Sequence, residues 1–242
     1  MANPFYQPGT ERAARVNDLF GAIAQRYDLI NDLQSFGLHR LWKRRMAVLA
    51  RIPAGGLALD LCCGTGDIAF ALARRGATVC ALDFSAPMLA VAAHRLHRTP
   101  PDVVPGRVDF LRADALRIPF PDNYFDAVTI GYGLRNLASV EAGLAEMWRV
   151  AKPGGRILVL DFGKPEHPLW RAAYFLYLKC LVPAYGRVLC RNAEAYAYIL
   201  ESLRHYPAQQ GVAALMRKQP SANVAVVNFL GGMMSINHAE KA

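Results

Sequence analysis

Two periods of apolar and polar residues divide this chain. From residue 57 onward, short apolar runs recur at 57–62, 77–82, 107–112, 125–130 and 156–161. Each is long enough for a strand and too short for a helix. Between them lie stretches of helical spacing at 67–75, 86–98 and 139–150. Strands alternating with helices predict parallel pairing through right-handed crossovers. Thr99 to Pro105 reads as a loop, Pro119 to Tyr124 as a turn, and Pro153-Gly154-Gly155 as a sharp turn into the fifth strand. Before the first strand, residues 11–50 have helical periodicity, with Val16, Leu19, Phe20 and Ile23 on one stripe, and Ile52 to Gly56 is a linker. After the fifth strand, 167–190 is densely apolar. Asn192 to Tyr206 reads as a helix with Asn192 as its N-cap and Glu194 and Glu201 outward, and 208–218 as a last helix. Runs at 224–230 and 232–237 then read as a hairpin turning at Gly231. The sum is a single α/β domain with a Rossmann-like sheet, mostly parallel, closed by an antiparallel hairpin. It divides into a helical cap at 1–52, a nucleotide-binding core at 53–165, and lid helices with the hairpin at 166–242.

The first strand ends in Leu59-Asp60-Leu61-Cys62-Cys63-Gly64-Thr65-Gly66-Asp67. A buried strand, a glycine turn and a helix N-terminus in that order bring backbone amides against a ligand. Asp83 closes the second strand, seventeen residues past Gly66, where a carboxylate accepts from ribose hydroxyls. Gly64-x-Gly66-x-x-Ala69 also fits a dinucleotide site. Asp60 tips the balance. A carboxylate there suits a cationic ligand such as the sulfonium and amino group of S-adenosylmethionine, and it repels a pyrophosphate. Parallel sheets collect ligands at the carboxyl ends of their strands. Those ends carry Asp60, Asp83, Asp114, Gly131 with Tyr132, and Asp161.

Composition narrows the picture. The 242 residues are 53% hydrophobic and 19% charged, as in a globular domain with a sizeable core. A net charge of +9 fits nucleic acid, an anionic membrane surface or plain solubility. The five cysteines lack metal-ligand spacing, and Cys62 and Cys80 sit in apolar strand runs, so they read as core residues and no metal is expected. Met1 to Thr10 has no apolar signal core, which points to the cytoplasm. In 167–190, Trp170, Tyr174, Tyr177 and Tyr185 alternate with Arg171, Lys179 and Arg187. That segment reads as a core helix, as a lid over a greasy substrate, or as a face that meets the membrane interface.

Beyond the glycine turn stand further motifs: Tyr27-Asp28-Leu29-Ile30-Asn31-Asp32, His39-Arg40-Leu41-Trp42-Lys43, Pro119-Phe120-Pro121-Asp122, Gly133-Leu134-Arg135-Asn136 and Lys152-Pro153-Gly154-Gly155. With these the chain resembles the class I S-adenosylmethionine-dependent methyltransferases, and more closely the UbiE/MenG/COQ5 family of demethylmenaquinone and ubiquinone-biosynthesis C-methyltransferases. The resemblance covers almost the whole chain. It implies the class I methyltransferase fold and S-adenosylmethionine as methyl donor. It implies donor contacts from Thr65 of the Gly64–Gly66 turn and from Asp83, with Asp114 and Ala115 flanking the adenine. Where the family often carries a serine this chain has Gly131, whose backbone is left to make the contact. The substrate implied is a prenylated quinol, either demethylmenaquinol going to menaquinol or 2-methoxy-6-polyprenyl-1,4-benzoquinol on the way to ubiquinone, or both.

Methyl transfer to a ring carbon needs a phenol to lose its proton, hence a base or a cation that stabilises the phenolate. Arg135 is the candidate for lowering the phenol pKa or holding an activated water, with Asn136 orienting it. Tyr27 and His39 are the alternatives for proton relay. A salt-bridged or helix-capping arginine is the plainer reading of Arg135. No Asn/Asp-Pro-Pro-aromatic motif follows strand four, and no Pro-Cys nucleophile, so a nucleic-acid substrate is not expected. A non-catalytic scaffold in quinone biosynthesis and a sterol or other small-molecule methyltransferase are the remaining rivals. Peripheral contact with the inner face of a membrane, and a homodimer, complete the expectations.

Overall fold

The computed structural model describes residues 18, 20–190 and 194–242, with the side chains of 183–199 left outside the description. Val16 and Leu19 of the expected cap stripe, the N-cap Asn192 and the side chain of Glu194 lie outside the described residues. Five strands run parallel: β1 (Leu57–Leu61), β2 (Thr78–Asp83), β3 (Val108–Arg112), β4 (Phe125–Gly131) and β5 (Ala151–Phe162). Two more, β6 (Ser221–Phe229) and β7 (Met234–Lys241), pair antiparallel, and β7 joins the hairpin to β5. The strand order is β3-β2-β1-β4-β5-β7-β6. It reverses between β1 and β4, where a doubly wound sheet opens a crevice at its carboxyl edge.

The helices are α1 (Tyr27–Ser35), α2 (Leu38–Leu49), α3 (Asp67–Ala73), α4 (Ala86–His97), α5 (Val140–Val150), α6 (Pro168–Cys190), α7 (Glu194–His205) and α8 (Ala208–Arg217). Strand alternation assigns the two faces of the sheet to two cores. Leu59, Leu61, Val128, Ile130, Ile157 and Val159 share one. Ala58, Ala81, Ala127, Leu158 and Leu160 share the other. The alanines keep that second face low, so α3 packs on it through Ala69, Leu72 and Ala73, and Trp42 and Met46 of α2 close the layer.

Three departures from the sequence reading have physical causes. Pro153-Gly154-Gly155 does not precede the fifth strand but bulges within it. Phe125 pairs with Ala151 and Ala127 with Arg156, so the extra residues loop out, and Gly154 supplies a φ of +75°. The hairpin is longer than its apolar runs, starting at Ser221 and ending at Lys241, because β7 pairs with both β5 and β6, with an irregularity in β6 between Ala222 and Ala225. Leu230 falls in the turn with φ +49°, not in the strand. The segment expected to be a core helix, a lid or an interfacial face is the single helix α6, and it has two sides. Tyr174, Leu178 and Val182 are buried, while Leu169, Leu176 and Leu181 are exposed.

Asp67 fastens the cap to the core. It opens α3, and its carboxylate takes Lys43 Nζ of α2 at 2.7 Å and an Arg95 guanidinium nitrogen of α4 at 2.7 Å. Arg95 also meets Asp28 of α1 at 2.9 Å and donates to the Thr65 carbonyl at 2.7 Å, while the Thr65 hydroxyl donates to Asp28 at 2.7 Å. Burial by itself would raise the Asp67 pKa, but Lys43 and Arg95 hold it well below the usual carboxylate range. A carboxylate depressed on folding contributes stability above its unfolded pKa, about 4, and loses it as the pH falls through the folded value. Asp67→Asn leaves the buried Lys43 ammonium without its anion and is expected to cost about 3 kcal/mol at neutral pH. In urea unfolding the gap between wild type and variant should close as the pH drops below the carboxylate range.

Candidate active site

Two cavities meet at the carboxyl edge of the sheet. The smaller, about 180 Å³, lies over the ends of β1, β2 and β4 and is walled by Gly64, Asp83, Asp114, Ala115, Gly131 and Asn136, with Leu82, Phe84, Met88, Leu116 and Leu137 as apolar sides. The larger, about 410 Å³, lies under α1, α2 and α6 and is walled mainly by apolar and aromatic residues with His39 and Arg135 among them. Phe20, Tyr27 and Tyr132 line both.

In the smaller cavity Asp83 is fixed by the backbone. Gly64 N–H donates to one carboxylate oxygen at 2.7 Å and Ser85 N–H to the other at 2.8 Å. Each oxygen keeps a second lone pair for a ligand hydroxyl. Burial nudges the Asp83 pKa upward, against these amide bonds. Gly64 has φ +55°, which a glycine adopts without strain. Asp114 is exposed and takes Leu116 N–H at 2.8 Å, and Ala115 beside it is buried. A Cβ on Gly131 would lie 2.3 Å from Ile68 Cδ1, so any larger residue there requires Ile68 to move. Carboxylates at two strand ends, an open glycine turn and an apolar slot between them fit a nucleoside carrying a cation.

Other expected donor contacts stand off this wall. The Asp60 side chain is fully buried and takes the Thr129 hydroxyl at 2.8 Å, and burial pushes its pKa up to about 7. The Thr65 hydroxyl is turned to Asp28 and away from the cavity. Gly66 is the N-cap of α3, with φ +89°. Burial raises the thiols of Cys62, Cys63 and Cys80, so they stay protonated, and Cys62 borders the smaller cavity.

The four residues expected to do chemistry divide between the cavities. Arg135 is 5% exposed, and its Nε lies 3.1 Å from Asp161 at the end of β5. It also donates to Asn136 Oδ1 at 2.8 Å and to the Ser202 hydroxyl at 3.3 Å, and its guanidinium lies 5.0 Å over the Phe162 ring. The arginine is thus both salt-bridged and part of the large cavity's wall. Asn136 faces the smaller cavity and donates to the Tyr132 carbonyl at 3.1 Å. Tyr27 lines both cavities, and burial raises its hydroxyl pKa while Lys43 opposes. His39 is buried with Nε2 2.8 Å from Asp32 Oδ1. Asp32 is held at a pKa of about 2 by the Arg40 guanidinium, so it is an anion and fixes the proton on Nε2. Burial and Lys43 together lower the His39 pKa, which leaves a neutral imidazole with its lone pair on Nδ1.

Gln34 Nε2, His39 Nδ1 and the Tyr132 hydroxyl are buried without a hydrogen-bond partner among the described residues, and all three residues border the large cavity. Each such group costs about 1–3 kcal/mol, so their gathering at one apolar chamber suits a ligand with a polar head and a greasy body. Tyr132 was the site residue least visible in the sequence. Its φ is +59°, a strained value for a residue with a side chain, and Lys43 Nζ lies 5.7 Å from its ring centroid. Its place between two glycines after β4 was the available signal.

The Arg135–Asp161 pair separates stability from chemistry. Arg135→Ala leaves Asp161 buried and unpaired, with an expected loss of about 3–5 kcal/mol in urea unfolding. Arg135→Met combined with Asp161→Leu should recover most of that loss without recovering turnover.

Comparison with known proteins agrees with this geometry. A family model described as the ubiE/COQ5 methyltransferase family matches residues 9–241. The ubiquinone/menaquinone biosynthesis C-methyltransferase UbiE of Stutzerimonas stutzeri is 40% identical over 238 residues, covering 97% of this chain and 91% of that protein. The protein of the same name from Francisella tularensis subsp. novicida is 39% identical over 233 residues, covering 95% and 92%. Among solved structures, a SAM-dependent methyltransferase of Thermotoga maritima, described as a possible histamine N-methyltransferase, superposes with TM-score 0.66 at 18% identity, covering 93% of this chain and 99% of that one. The phosphoethanolamine N-methyltransferase 2 of Haemonchus contortus, solved with S-adenosylhomocysteine, superposes with TM-score 0.59 at 18% identity, covering 83% and 52%. Matched from end to end on a class I methyltransferase fold, the chain belongs to the ubiE/COQ5 methyltransferase family and is an S-adenosylmethionine-dependent C-methyltransferase.

Proposed function

We propose that this enzyme methylates a ring carbon of a prenylated quinol, converting demethylmenaquinol to menaquinol. The observation that carries the reading is the large apolar chamber with a few unsatisfied polar groups, joined at Tyr27 and Tyr132 to the cavity of the glycine turn. Methylation of 2-methoxy-6-polyprenyl-1,4-benzoquinol is the second reading, favoured by relatives named for both quinones. A prenylated quinol is a membrane solute, so the enzyme works from the cytoplasm at the membrane's inner face.

Gly64, Asp83, Asp114, Ala115 and Gly131 hold the donor in the smaller cavity. When bound there, S-adenosylmethionine supplies an electrophilic methyl on sulfur. Asp83 accepts from the ribose and Asp114 from the adenine amine. Asp60, Thr65 and Gly66 act behind this wall: Thr129 anchors Asp60, Asp28 anchors Thr65, and Gly66 starts α3. Tyr27 and Tyr132 frame the opening between the cavities and align ring carbon and methyl group.

The quinol head takes its place against the orphaned groups of Gln34, His39 and Tyr132, beside Asn31. His39 accepts the phenol proton on Nδ1, while Asp32 stabilises the imidazolium that forms; once the ring carbon carries the methyl group its own hydrogen leaves as a proton and the phenol O–H is restored. Arg135 stabilises the resulting phenolate from the chamber wall. Asp161 partly neutralises that cation, so its effect is that of an oriented dipole more than of a bare charge. An arginine is too basic to take the proton itself. Asn136 fixes the guanidinium through its Oδ1.

Labelled methyl transfer to reduced demethylmenaquinol and to reduced demethylated benzoquinol, run side by side, tests the substrate. Label in the naphthoquinol product is expected. Label in the benzoquinol alone would move the enzyme to ubiquinone synthesis, and label in neither, with donor binding intact, would reject the quinol reading. A base must be neutral to act, so kcat should fall on the acid side with an apparent pKa below the ordinary histidine value. His39→Gln should lower kcat about a hundredfold and abolish that acid limb while leaving donor affinity unchanged.

A further inference from the structure

Three large apolar residues that line the large cavity also face solvent: Phe36 is 81% exposed, Leu230 49% and Trp170 44%. The chamber therefore opens outward through an apolar rim. The rim continues onto the surfaces of α1 and α6, which are joined by the bond from the Tyr177 hydroxyl to the Gln34 carbonyl at 2.9 Å. On α1, exposed Leu29 and Leu33 lie one turn apart and lead to Phe36, the residue just past the end of the helix. On α6, exposed Leu169, Ala172, Leu176 and Lys179 recur at the spacing of one face. Leu169 is 76% and Leu176 61% exposed. Scattered exposed leucines mean little, but a patch continuous with a cavity mouth marks an interaction surface.

Charge says which surface it meets. From Pro168 through Val182, α6 carries Arg171 and Lys179 and no acid. Arg26, just before α1, is exposed. The acids of α1 are already committed, Asp28 to Arg95 and Asp32 to Arg40. Glu166, just before α6, is exposed and accepts from Gln210. No helix among the described residues is long and apolar enough to cross a membrane. Apolar side chains on two adjacent helices, beside the cations of α6, have the make-up of an element that lies in the headgroup layer and does not span it.

The geometry points to a docking face for an anionic lipid bilayer, formed by the exposed sides of α1 and α6 around the mouth of the large cavity. Leu29, Leu33, Phe36, Leu169 and Leu176 enter the boundary between headgroups and acyl chains. Arg171 and Lys179 meet the phosphates. The mouth then opens into the bilayer, and an apolar tail stays in lipid while its head reaches the chamber. This placement rests on the quinol reading above for its substrate, but the docking itself is measured without turnover.

Flotation of the purified full chain with phosphatidylglycerol-containing vesicles, against vesicles of phosphatidylcholine alone, tests the face. The protein should float with the anionic vesicles and be released as salt screens the charges. The triple variant Leu33→Ser, Leu169→Ser, Leu176→Ser changes residues outside the cavity wall and should weaken partitioning at least about tenfold. Arg171→Glu with Lys179→Glu should remove the preference for anionic lipid. Turnover of a short-tailed, water-soluble quinol should be unaffected by the triple variant, and its loss in wild type would instead indict the substrate reading. Wild-type protein that stays in the soluble fraction, or a triple variant that floats as well as wild type, overturns the proposal. So does a triple variant that only converts a dimer to a monomer in size-exclusion chromatography, which would assign the face to a second copy of the chain.

Discussion

The whole site hangs on one carboxylate. Asp67 sits at the N-terminus of α3, directly after the glycine turn, and is gripped by Lys43 from the cap and Arg95 from α4. An anion at a helix N-terminus is favoured by the unpaired amides there. Here the same anion makes a cap helix and a core helix share one charge. Asp28 and Thr65 extend the contact to α1 and to the turn itself. Because these groups are largely withdrawn from water, losing one partner costs far more than losing a surface ion pair. The cap is therefore held in register with the strand ends, and the large chamber, whose walls are divided between cap and α6, keeps a definite shape.

A second buried pair does the same on the opposite wall. Arg135 follows β4 and Asp161 ends β5, adjacent strands whose register brings Gly131 opposite Leu160. Between the two ionic fixtures stand Tyr27 and Tyr132, one from the cap and one from the sheet edge, both bordering both cavities. A methyl group passed from a polar site to an apolar one has to cross such a boundary. The strained backbone of Tyr132 is tolerated because Lys43, Phe162 and the close turn after β1 surround it.

Acids at the strand ends are not a uniform ring. Asp83 and Asp114 face the smaller cavity, Asp161 serves Arg135, and Asp60 is sealed against Thr129. One motif type thus performs three tasks, and the difference lies in which neighbour reaches each side chain. Asp60 illustrates the point best. A carboxylate four residues before a glycine turn looks like a ligand contact, yet strand alternation turns it into the layer beneath α3.

What the sequence determined was everything that depends on near neighbours. Alternating short apolar runs and helical stretches specify a parallel sheet with crossovers, and Gly64, Gly66 and Asp83 specify a tight turn and an acid at the strand ends, because turn and strand geometry are local. The long-range motifs, from Tyr27 to Asn136, identify the family. Pairings between distant positions were decided only by tertiary structure. Ala151 became strand because Phe125 lies opposite it, Thr65 turned to Asp28, and Arg135 met Asp161. The large chamber exists only because α1, α2 and α6, far apart in the chain, close over one sheet edge. A hydrogen bond or an ion pair depends on a partner's position in space, and for residues separated by tens or hundreds of positions no local pattern records that position.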